Sequence, residues 1–377
     1  MENNDKAEQI QRHLPEDIVT EILSRLPVQS LLRFKSVSKS WRFLICSKNF
    51  IKTHLENSEK NETFARHRFI STSLWNSKCP GNLRVCSLRS LLTEPVTRSS
   101  PLDFFPESGS TDLRIVGTCN GLTCVIVDSY RFFLLNPSTR EYRQLPDFER
   151  PSKRGFMTGL GFGFDESSGD YKVNAVFRRA LFPPTSDVAR VYSLKADSWR
   201  GNNVRFKDGW NCCRLGKFVN GKLHWRSYKC EHFESEWEIV CLDLERERFG
   251  TLEKLPRCFE GYFCPILLVV KGCLCVLFGY PKAIRFDIWI WRESGVEDSW
   301  AKFFTIPNPC HSLTHSIPWG GYLTPPFVLS NGEVLYSCGS GFLIYNPKDD
   351  RLSQSRTVDF DRYEAKVYTE SLVSLVN

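Results

Sequence analysis

The sequence lacks the features that mark several large classes of protein. No run of apolar residues approaches the length of about 18 that a membrane-spanning helix needs. No CxxC pair occurs, so the usual spacing of a zinc knuckle is missing. Neither a P-loop nor a G-x-S-x-G elbow is present. These absences argue against a membrane protein, a zinc-finger protein, a P-loop nucleotide hydrolase and a serine hydrolase.

The cysteines and the start of the chain indicate a reducing compartment. Residues 1–10 are polar and acidic without an apolar run, so we expect no secretory signal and a disordered segment over residues 1–12. The 15 cysteines are an odd number and are most simply free thiols. Most lie among apolar neighbours, as Cys241, Cys273 and Cys275 do, where Cys acts as a small hydrophobic residue. We expect the protein in the cytoplasm, the nucleus or both.

Charge is unevenly distributed along the chain. The sequence has 50 Lys and Arg against 43 Asp and Glu, a formal net charge of +7. Residues 25–98 hold 14 basic and 4 acidic residues, a net of +10, whereas residues 1–24 hold 2 and 6, a net of −4. The remainder is near neutral, which argues against a nucleic-acid binder with charge across its main fold. The basic region is either a solvated face or a surface for an acidic partner.

Residues 13–56 have the pattern of short helices that pack together. Pro15 before Glu16 and Asp17 is a helix-start signal, because Pro suits the first turn and acids favour the positive end of the helix dipole. Ser47 is a candidate N-cap for a last helix. Apolar residues recur at helical spacing, and they are Ile18, Val19, Ile22, Leu23, Leu26, Val28, Leu31, Leu32, Phe34, Val37, Trp41, Phe43, Leu44, Ile45, Phe50, Ile51 and Leu55.

So short a module has more large apolar side chains than it can bury by itself. Each such side chain that is withdrawn from water contributes about 1.5–3 kcal/mol. The surplus is therefore expected to pack either on a partner protein or on the domain that follows.

The order of these residues resembles an F-box. The resemblance runs without gaps through LPEDI from Leu14, ILSRLP from Ile22, SLLRFK from Ser30, VSKSW from Val37, and Phe50. In that family the module binds the Skp adaptor of an SCF-type (Skp–cullin–F-box) ubiquitin ligase. The resemblance implies an adaptor contact that is shaped or lined by Leu14, Pro15, Ile18, Ile22, Leu23, Leu26, Pro27, Leu31, Leu32, Val37 and Trp41. Those expected to touch the adaptor are Leu14, Pro15, Ile22, Leu31, Leu32 and Trp41.

After a linker expected at residues 57–65, the pattern changes to short strands. A loose repeat occurs four times: a two-residue turn, an apolar strand, and a second strand that ends in a polar turn. The two-residue turns are Asn120-Gly121, Asn220-Gly221, Lys271-Gly272 and Asn331-Gly332. Asn-Gly suits tight hairpins, whose central residues need positive φ. Units of about 45–55 residues match a four-stranded propeller blade better than a helical solenoid. We expect a small all-α module followed by an all-β, propeller-like domain of six blades over residues 66–377.

The β-rich region resembles the F-box-associated domain of plant proteins that are often described as kelch-like. The resemblance is carried by GTCNGL from Gly117, LNPSTR from Leu135, GFGFD from Gly161, DYKV from Asp170, VNGKLHW from Val219, SW from Ser299 and ESLVSL from Glu370. The double-Gly signature of kelch repeats is not present in these units. The two resemblances cover nearly the whole chain and imply a receptor role, without naming a target.

No catalytic or metal-binding constellation emerges. The Gly-rich run 159–163 lacks the G-x-G-x-x-G spacing, and we interpret it as a close-packed strand. Cys310, His311 and His315 lack a fourth ligand at zinc spacing. His224 lies in an expected strand, where a packing role is favoured. We therefore expect a non-catalytic protein with no metal and no cofactor.

The expected function is substrate recognition within an SCF ubiquitin ligase. The F-box would bind a Skp-family adaptor and through it cullin, and the β domain would bind an unknown target protein for ubiquitination, with no nucleic acid or membrane as partner. Aromatic and charged loop residues are the candidates for target binding, namely Trp210, Tyr228, Trp237, His311, Trp319 and Tyr322. The alternatives are an F-box receptor whose β domain binds a small molecule or glycan, and a non-ligase interaction scaffold.

Overall fold

The fold is described from a computed structural model of the 377-residue chain. The described residues are 14–73, 83–102, 113–148, 156–178, 187–204, 210–212, 215–231, 234–252, 265–278, 285–292, 299–307, 326–338, 341–358 and 363–375. The predicted disordered segment 1–12 lies outside them.

Four helices form the N-terminal module. They are α1 (Glu16–Ser24), α2 (Val28–Phe34), α3 (Lys39–Cys46) and α4 (Lys48–Glu59). Pro15 and Pro27 stand directly before α1 and α2. The hydroxyls of Ser38 and Ser47 accept hydrogen bonds from first-turn amides of α3 and α4 at 3.1 and 3.3 Å. Each helix therefore begins at a residue that supplies a cap or needs no amide partner.

The junction after the helices is packed against both domains. Helix α4 continues to Glu59, three residues into the segment 57–65 that the sequence indicated as a linker. Ser58 is buried and donates a hydrogen bond to the carbonyl of His54 at 2.7 Å. Phe64, only 4% exposed, belongs to an apolar core of the β domain. Ser58 is buried at the helical end of residues 57–65 and Phe64 is buried in the β domain, so this segment is not a free linker.

The rest of the described chain is almost entirely strand. The first strands are β1 (His67–Ser73), β2 (Leu83–Ser87), β3 (Val96–Arg98), β4 (Ser100–Leu102), β5 (Leu113–Cys119), β6 (Leu122–Val127), β7 (Arg131–Asn136), β8 (Glu141–Gln144), β9 (Phe156–Asp165), β10 (Asp170–Arg178), β11 (Asp187–Ser193), β12 (Ser198–Val204) and β13 (Trp210–Cys212). The others are β14 (Lys217–Val219), β15 (Lys222–Glu231), β16 (Glu234–Asp243), β17 (Arg248–Leu252), β18 (Ile266–Val270), β19 (Cys273–Phe278), β20 (Arg285–Arg292), β21 (Ser299–Pro307), β22 (Phe327–Val328), β23 (Val334–Cys338), β24 (Gly341–Asn346), β25 (Arg351–Val358) and β26 (Tyr363–Thr369).

These strands form the six blades of a β-propeller, as the sequence predicted. Blade 1 has the order β26-β1-β2-β4, and blades 2 and 3 contain β5 to β8 and β9 to β12. Blade 4 contains β13 to β17, blade 5 contains β18 to β21, and blade 6 has the order β22-β23-β24-β25-β3. Neighbouring strands are antiparallel except β3, which lies parallel to β25.

An apolar core lies between each blade and the next, and this closes the ring. Every residue of β6 is buried. Because successive side chains point to opposite faces of a strand, Cys124 and Ile126 join the core shared with blade 3, whereas Val125 and Val127 join that shared with blade 1. Pairs that represent the six cores in ring order are Ile70 and Val125, Leu134 and Val173, Val191 and Trp225, Ile239 and Leu274, Ile288 and Val334, and Leu335 and Phe69.

The two ends of the β domain interlock. Strand β26, the last strand of the chain, pairs with β1, with Val367 opposite Phe69. Strand β3 leaves blade 1 and becomes the edge of blade 6, with Val96 opposite Arg356. A short helix, α5 (Leu88–Thr93), connects these regions and was missed by the sequence analysis because it spans less than two helical turns. Ring closure therefore depends on residues from both ends of the domain.

The predicted hairpin turns are present, with one exception. The first residue of the turn has positive φ at Asn120 (51°), Asn220 (47°) and Lys271 (50°), and the following Gly also has positive φ in each case. This is the geometry of a type I′ turn. At the fourth pair only Gly332 has positive φ, of 92°, while the side chain of Asn331 accepts a hydrogen bond from the amide of Glu333 at 3.0 Å. The turn at Asn331-Gly332 is therefore of a different type, and the Asn331 side chain supplies one of its hydrogen bonds.

The Gly-rich run is a close-packed strand, as expected from its sequence. A Cβ atom at Gly161 would lie 2.7 Å from Leu223 Cδ1, and one at Gly163 would lie 2.4 Å from Phe218 Cδ2. The fully buried side chain of Trp225 donates a hydrogen bond to the carbonyl of Leu160 at 2.9 Å. Glycine is thus needed for the approach of blade 4 to β9, and not for phosphate binding.

Candidate adaptor and target surfaces

The helical module has a small apolar core, and some residues of the predicted adaptor contact are buried in it. Leu23 is 1% exposed and Leu31 is 0% exposed, and both pack with Val28, Ile45 and Phe50. Three half-buried members of the predicted adaptor contact pack against this core, namely Leu26, Leu32 and Trp41. Leu31 was expected to touch the adaptor, but its burial assigns it to the inside of the module, where it supports the surface above it.

The remaining residues of the predicted contact are on the surface. Leu14 is 61% exposed, Ile18 is 48%, Ile22 is 49% and Val37 is 62%. Pro15 and Pro27 are exposed as well. Ile18 and Ile22 are four residues apart on α1 and so lie on one helix face, whereas Val19 and Leu23 face the core. Exposed branched apolar side chains on one face of a helix suit protein docking.

One exposed apolar residue of the helical module was grouped with the helical stripes and was not among the predicted adaptor contacts. Phe43 on α3 is 81% exposed, the highest value among the large apolar residues that the structure describes. Trp41, Leu44 and Ile45 pack into the core. Positions i, i+3 and i+4 share a helix face, and Phe43 falls outside that set. Its spacing was therefore the signal that could have separated it from the core residues.

The basic residues of the early region divide into two groups. Arg84 is structural, since its Nε donates to Ser99 Oγ at 2.8 Å and its Nη2 donates to the Ser99 carbonyl at 3.1 Å. The basic residues on the helices are largely exposed, among them Arg33, Lys39, Arg42, Lys48 and Lys52. Positive charge on the helical module favours an acidic partner surface, which stays a prediction.

The candidates for target binding fall partly on blade 4. Tyr228 on β15 lies opposite Trp237 on β16 in the strand register. Trp210 on β13 lies opposite Lys229, the next residue along β15, in the strand register. His311, Trp319 and Tyr322 lie outside the described residues. The structure thus places two of the six candidates side by side, and their role in target binding stays a prediction.

Trp237 belongs to an aromatic cluster between blades 4 and 5. Its ring centroid lies 5.6 Å from that of Phe278, and Trp291 and Trp300 lie 5.2 Å apart. These residues, with Trp289, join one apolar core in which Trp300 is buried and the others are half-exposed. Trp289 and Trp291 alternate with Ile288 and Ile290 along β20 and so face blade 4 together. The cluster presents aromatic surface of the kind found at interface centres.

A shallow groove lies between blades 2 and 3. It is lined by Phe148 and Trp199, whose ring centroids are 4.9 Å apart, together with Arg190 and Asp197. The indole of Trp199 donates a hydrogen bond to the Pro146 carbonyl at 2.7 Å, which fixes the ring. The small-molecule alternative stays a prediction.

The titratable groups do not assemble a reactive centre in the part of the chain that the structure describes. No group of three His, Cys, Asp or Glu side chains there could hold a metal ion. Burial raises the pKa of Cys86 and of Cys275 to about 12, so both thiols stay protonated. Burial lowers the pKa of His224 to about 4, so its imidazole is neutral near pH 7. Over the same residues, no helix combines the length and apolar character needed to cross a bilayer.

Comparison with known families defines the class of protein. Residues 12–53 match the F-box domain, and residues 80–374 match the F-box associated beta propeller domain. The chain therefore belongs to the F-box proteins that carry an F-box associated β-propeller.

Its relatives include several Arabidopsis thaliana proteins. The F-box/kelch-repeat protein At3g23880 is 32% identical over 96% of this chain and 96% of its own length. The F-box protein At3g07870 is 27% identical over 89% of this chain and 85% of its own length. The F-box protein CPR1 is 27% identical over 96% and 88%. The similarity thus extends across both domains.

Proposed function

We propose that this protein is the substrate-recognition subunit of an SCF-type ubiquitin ligase. The helical module binds a Skp-family adaptor and, through it, cullin. The propeller binds a target protein and holds it for ubiquitination. The observation that carries the proposal is an F-box whose α1 exposes Ile18 and Ile22, joined in one chain to a six-bladed propeller.

The chain itself needs no catalytic group in this role. Ubiquitin transfer belongs to the conjugating machinery that cullin recruits, and the receptor contributes by bringing the target close to it. The raised thiol pKa values of Cys86 and Cys275 accord with a structural use of cysteine. The work of the chain is therefore binding at two separate surfaces.

An F-box variant in plant cells tests both surfaces together. The double substitution Ile18→Asp and Ile22→Asp puts two carboxylates on the exposed face of α1, where a buried unpaired charge costs several kcal/mol of binding free energy. Affinity capture of the tagged wild-type chain should recover a Skp-family adaptor and cullin. The double variant should lose both, while its target proteins remain bound and accumulate.

The matched control is Leu352→Asp, which changes an apolar residue that is 37% exposed on β25. It should retain adaptor and cullin at the wild-type level. The proposal fails if the wild-type chain captures neither protein, or if the double variant captures them as well as the control does.

A further inference from the structure

The core of the helical module contains a residue from the far end of the chain. Leu372 is 3% exposed and lies in the same apolar core as Leu23, Val28, Leu31, Ile45 and Phe50. All the other fully buried members of that core come from the helices or the turns between them. The F-box of this protein therefore does not complete its core with its own residues.

The residues around Leu372 are fixed to blade 2 of the propeller. The carboxamide of Asn136 is fully buried and donates hydrogen bonds to the carbonyls of Ser371 at 3.0 Å and Val373 at 2.8 Å. A Cβ atom at Gly121 would lie 2.2 Å from Ser371 Oγ, so the turn between β5 and β6 is in close contact with this part of the chain. Residues 370–375, called the C-terminal segment below, thus have a defined path over blade 2.

The same segment is bonded to the helical module through a buried arginine. Arg66 donates from Nη1 to the Ser24 carbonyl at 3.2 Å and to Ser58 Oγ at 2.9 Å. Its own carbonyl accepts a hydrogen bond from the amide of Glu370 at 2.9 Å. The carboxylate of Glu370 also accepts one from Arg68 Nε at 2.7 Å. Polar contacts on this side therefore fix the register in which Leu372 enters the module.

The order of the chain gives this arrangement a consequence. The C-terminal segment directly follows β26, and β26 pairs with β1 to complete blade 1 and so close the ring. In this structure Leu372 therefore enters the helical core directly after a strand that is paired with β1. The same stretch of chain closes the propeller and completes the F-box core.

We propose that Leu372 is a positioning residue for adaptor binding, because it completes the F-box core and makes a stable adaptor-binding surface depend on a closed propeller. The inference rests on the proposed function for its link to the adaptor. Leu372 shares one buried core with Leu23 and Leu31 and acts through that core. A chain that lacks its last residues, or whose ring is open, would present the adaptor with a loosened module.

The test compares two leucines of the C-terminal segment in the full-length protein. Leu372→Ala removes apolar volume from the helical core. Leu375→Ala removes the same volume from the core between blades 2 and 3, where Leu375 is also 3% exposed. Amide hydrogen exchange reports the opening of α1 to α4 separately from that of β5 to β12, and a pull-down with a purified Skp-family adaptor reports binding.

Leu372→Ala should lower protection in α1 to α4 by about tenfold or more and leave blades 2 and 3 less affected. Adaptor capture should fall in proportion to the population of the opened module. Leu375→Ala should show the opposite pattern. Leu372→Met, which nearly conserves volume, should restore both protection and capture. If Leu372→Ala yields no soluble protein, Leu372→Val provides the same comparison with a smaller expected effect.

Equal protection of α1 to α4 in Leu372→Ala and Leu375→Ala would overturn the inference. So would full adaptor capture by a Leu372→Ala chain whose helices have lost nearly all of their protection and are mostly open. If the wild-type chain binds no Skp-family adaptor, the proposed function fails, while hydrogen exchange still decides whether Leu372 completes the helical core.

Discussion

Two truncations within the helical module should have opposite effects, although they remove similar side chains. Leu31 is 0% exposed, so Leu31→Ala leaves a cavity that should lower the free energy of unfolding of the module by about 2–5 kcal/mol. Ile22 is 49% exposed, so Ile22→Ala should cost the free chain much less. Full burial of such a side chain contributes about 1.5–3 kcal/mol, so burying its exposed half against the adaptor contributes about 1 kcal/mol. That corresponds to an affinity about fivefold weaker in Ile22→Ala.

Amide hydrogen exchange of α1 to α4 and calorimetric titration with a purified Skp-family adaptor separate the two effects. Leu31→Ala should lower protection by at least about 30-fold, which is the equivalent of 2 kcal/mol. Its adaptor affinity should fall only to the extent that the open module is populated. Ile22→Ala should keep its protection and lose affinity, and Leu352→Ala on blade 6 should change neither.

Two results would refute this division of roles. Equal loss of protection in Ile22→Ala and Leu31→Ala would place Ile22 in the core of the module. Weaker adaptor binding by Leu31→Ala with unchanged protection would make Leu31 a direct contact, as its position in the F-box pattern first indicated.

Three further predictions concern the packing of the two domains. Gly163→Ala should lower the thermal midpoint, because its Cβ would lie 2.4 Å from a phenyl carbon of blade 4. Gly117→Ala should lower the midpoint less, because the nearest contact of its Cβ is at 3.5 Å. Equal shifts in the two variants would contradict the packing argument. Lys172 is buried, and its ammonium links blades 3 and 4, since it lies 3.2 Å from the buried carboxylate of Asp165 and 3.0 Å from that of Glu247. Lys172→Ala should therefore lower the free energy of unfolding in urea by about 3 kcal/mol. A loss below about 0.5 kcal/mol would show that this link contributes little. Burial lowers the pKa of His54 in the folded chain, so the unfolded chain binds the proton more tightly. The stability of α1 to α4 should therefore be full above a pH of about 6.5 and should fall as the pH drops below it. His54→Gln should weaken this acid dependence, as measured by hydrogen exchange at several pH values, and an unchanged dependence would assign it to other groups.

The local features of the fold were accessible from the sequence because they depend on neighbouring residues. Pro15 and Ser47 mark helix starts, and Asn120 and Asn220 open type I′ turns. Each signal acts within a few residues of its own position. The blade count also followed, since the repeat length and the turn pairs recur along the chain.

The non-local features could not be predicted in the same way. Nothing near β26 indicates that it pairs with β1, and nothing near Leu372 indicates that it enters the helical core. Leu31 and Ile22 both belong to apolar stripes at helical spacing, yet Leu31 is fully buried and Ile22 is half-exposed. Burial of that kind depends on which helices and strands meet, and helical spacing alone cannot supply it.

The most direct test of the account is assembly from purified components. The full-length chain, a Skp-family adaptor and the N-terminal part of a cullin are mixed and separated by size-exclusion chromatography with light scattering. The account predicts one complex with one copy of each, and no association of the chain with cullin when the adaptor is left out or when Ile18→Asp and Ile22→Asp are both present. Elution of the wild-type chain apart from the adaptor, or a complex that the double variant forms equally well, would contradict it.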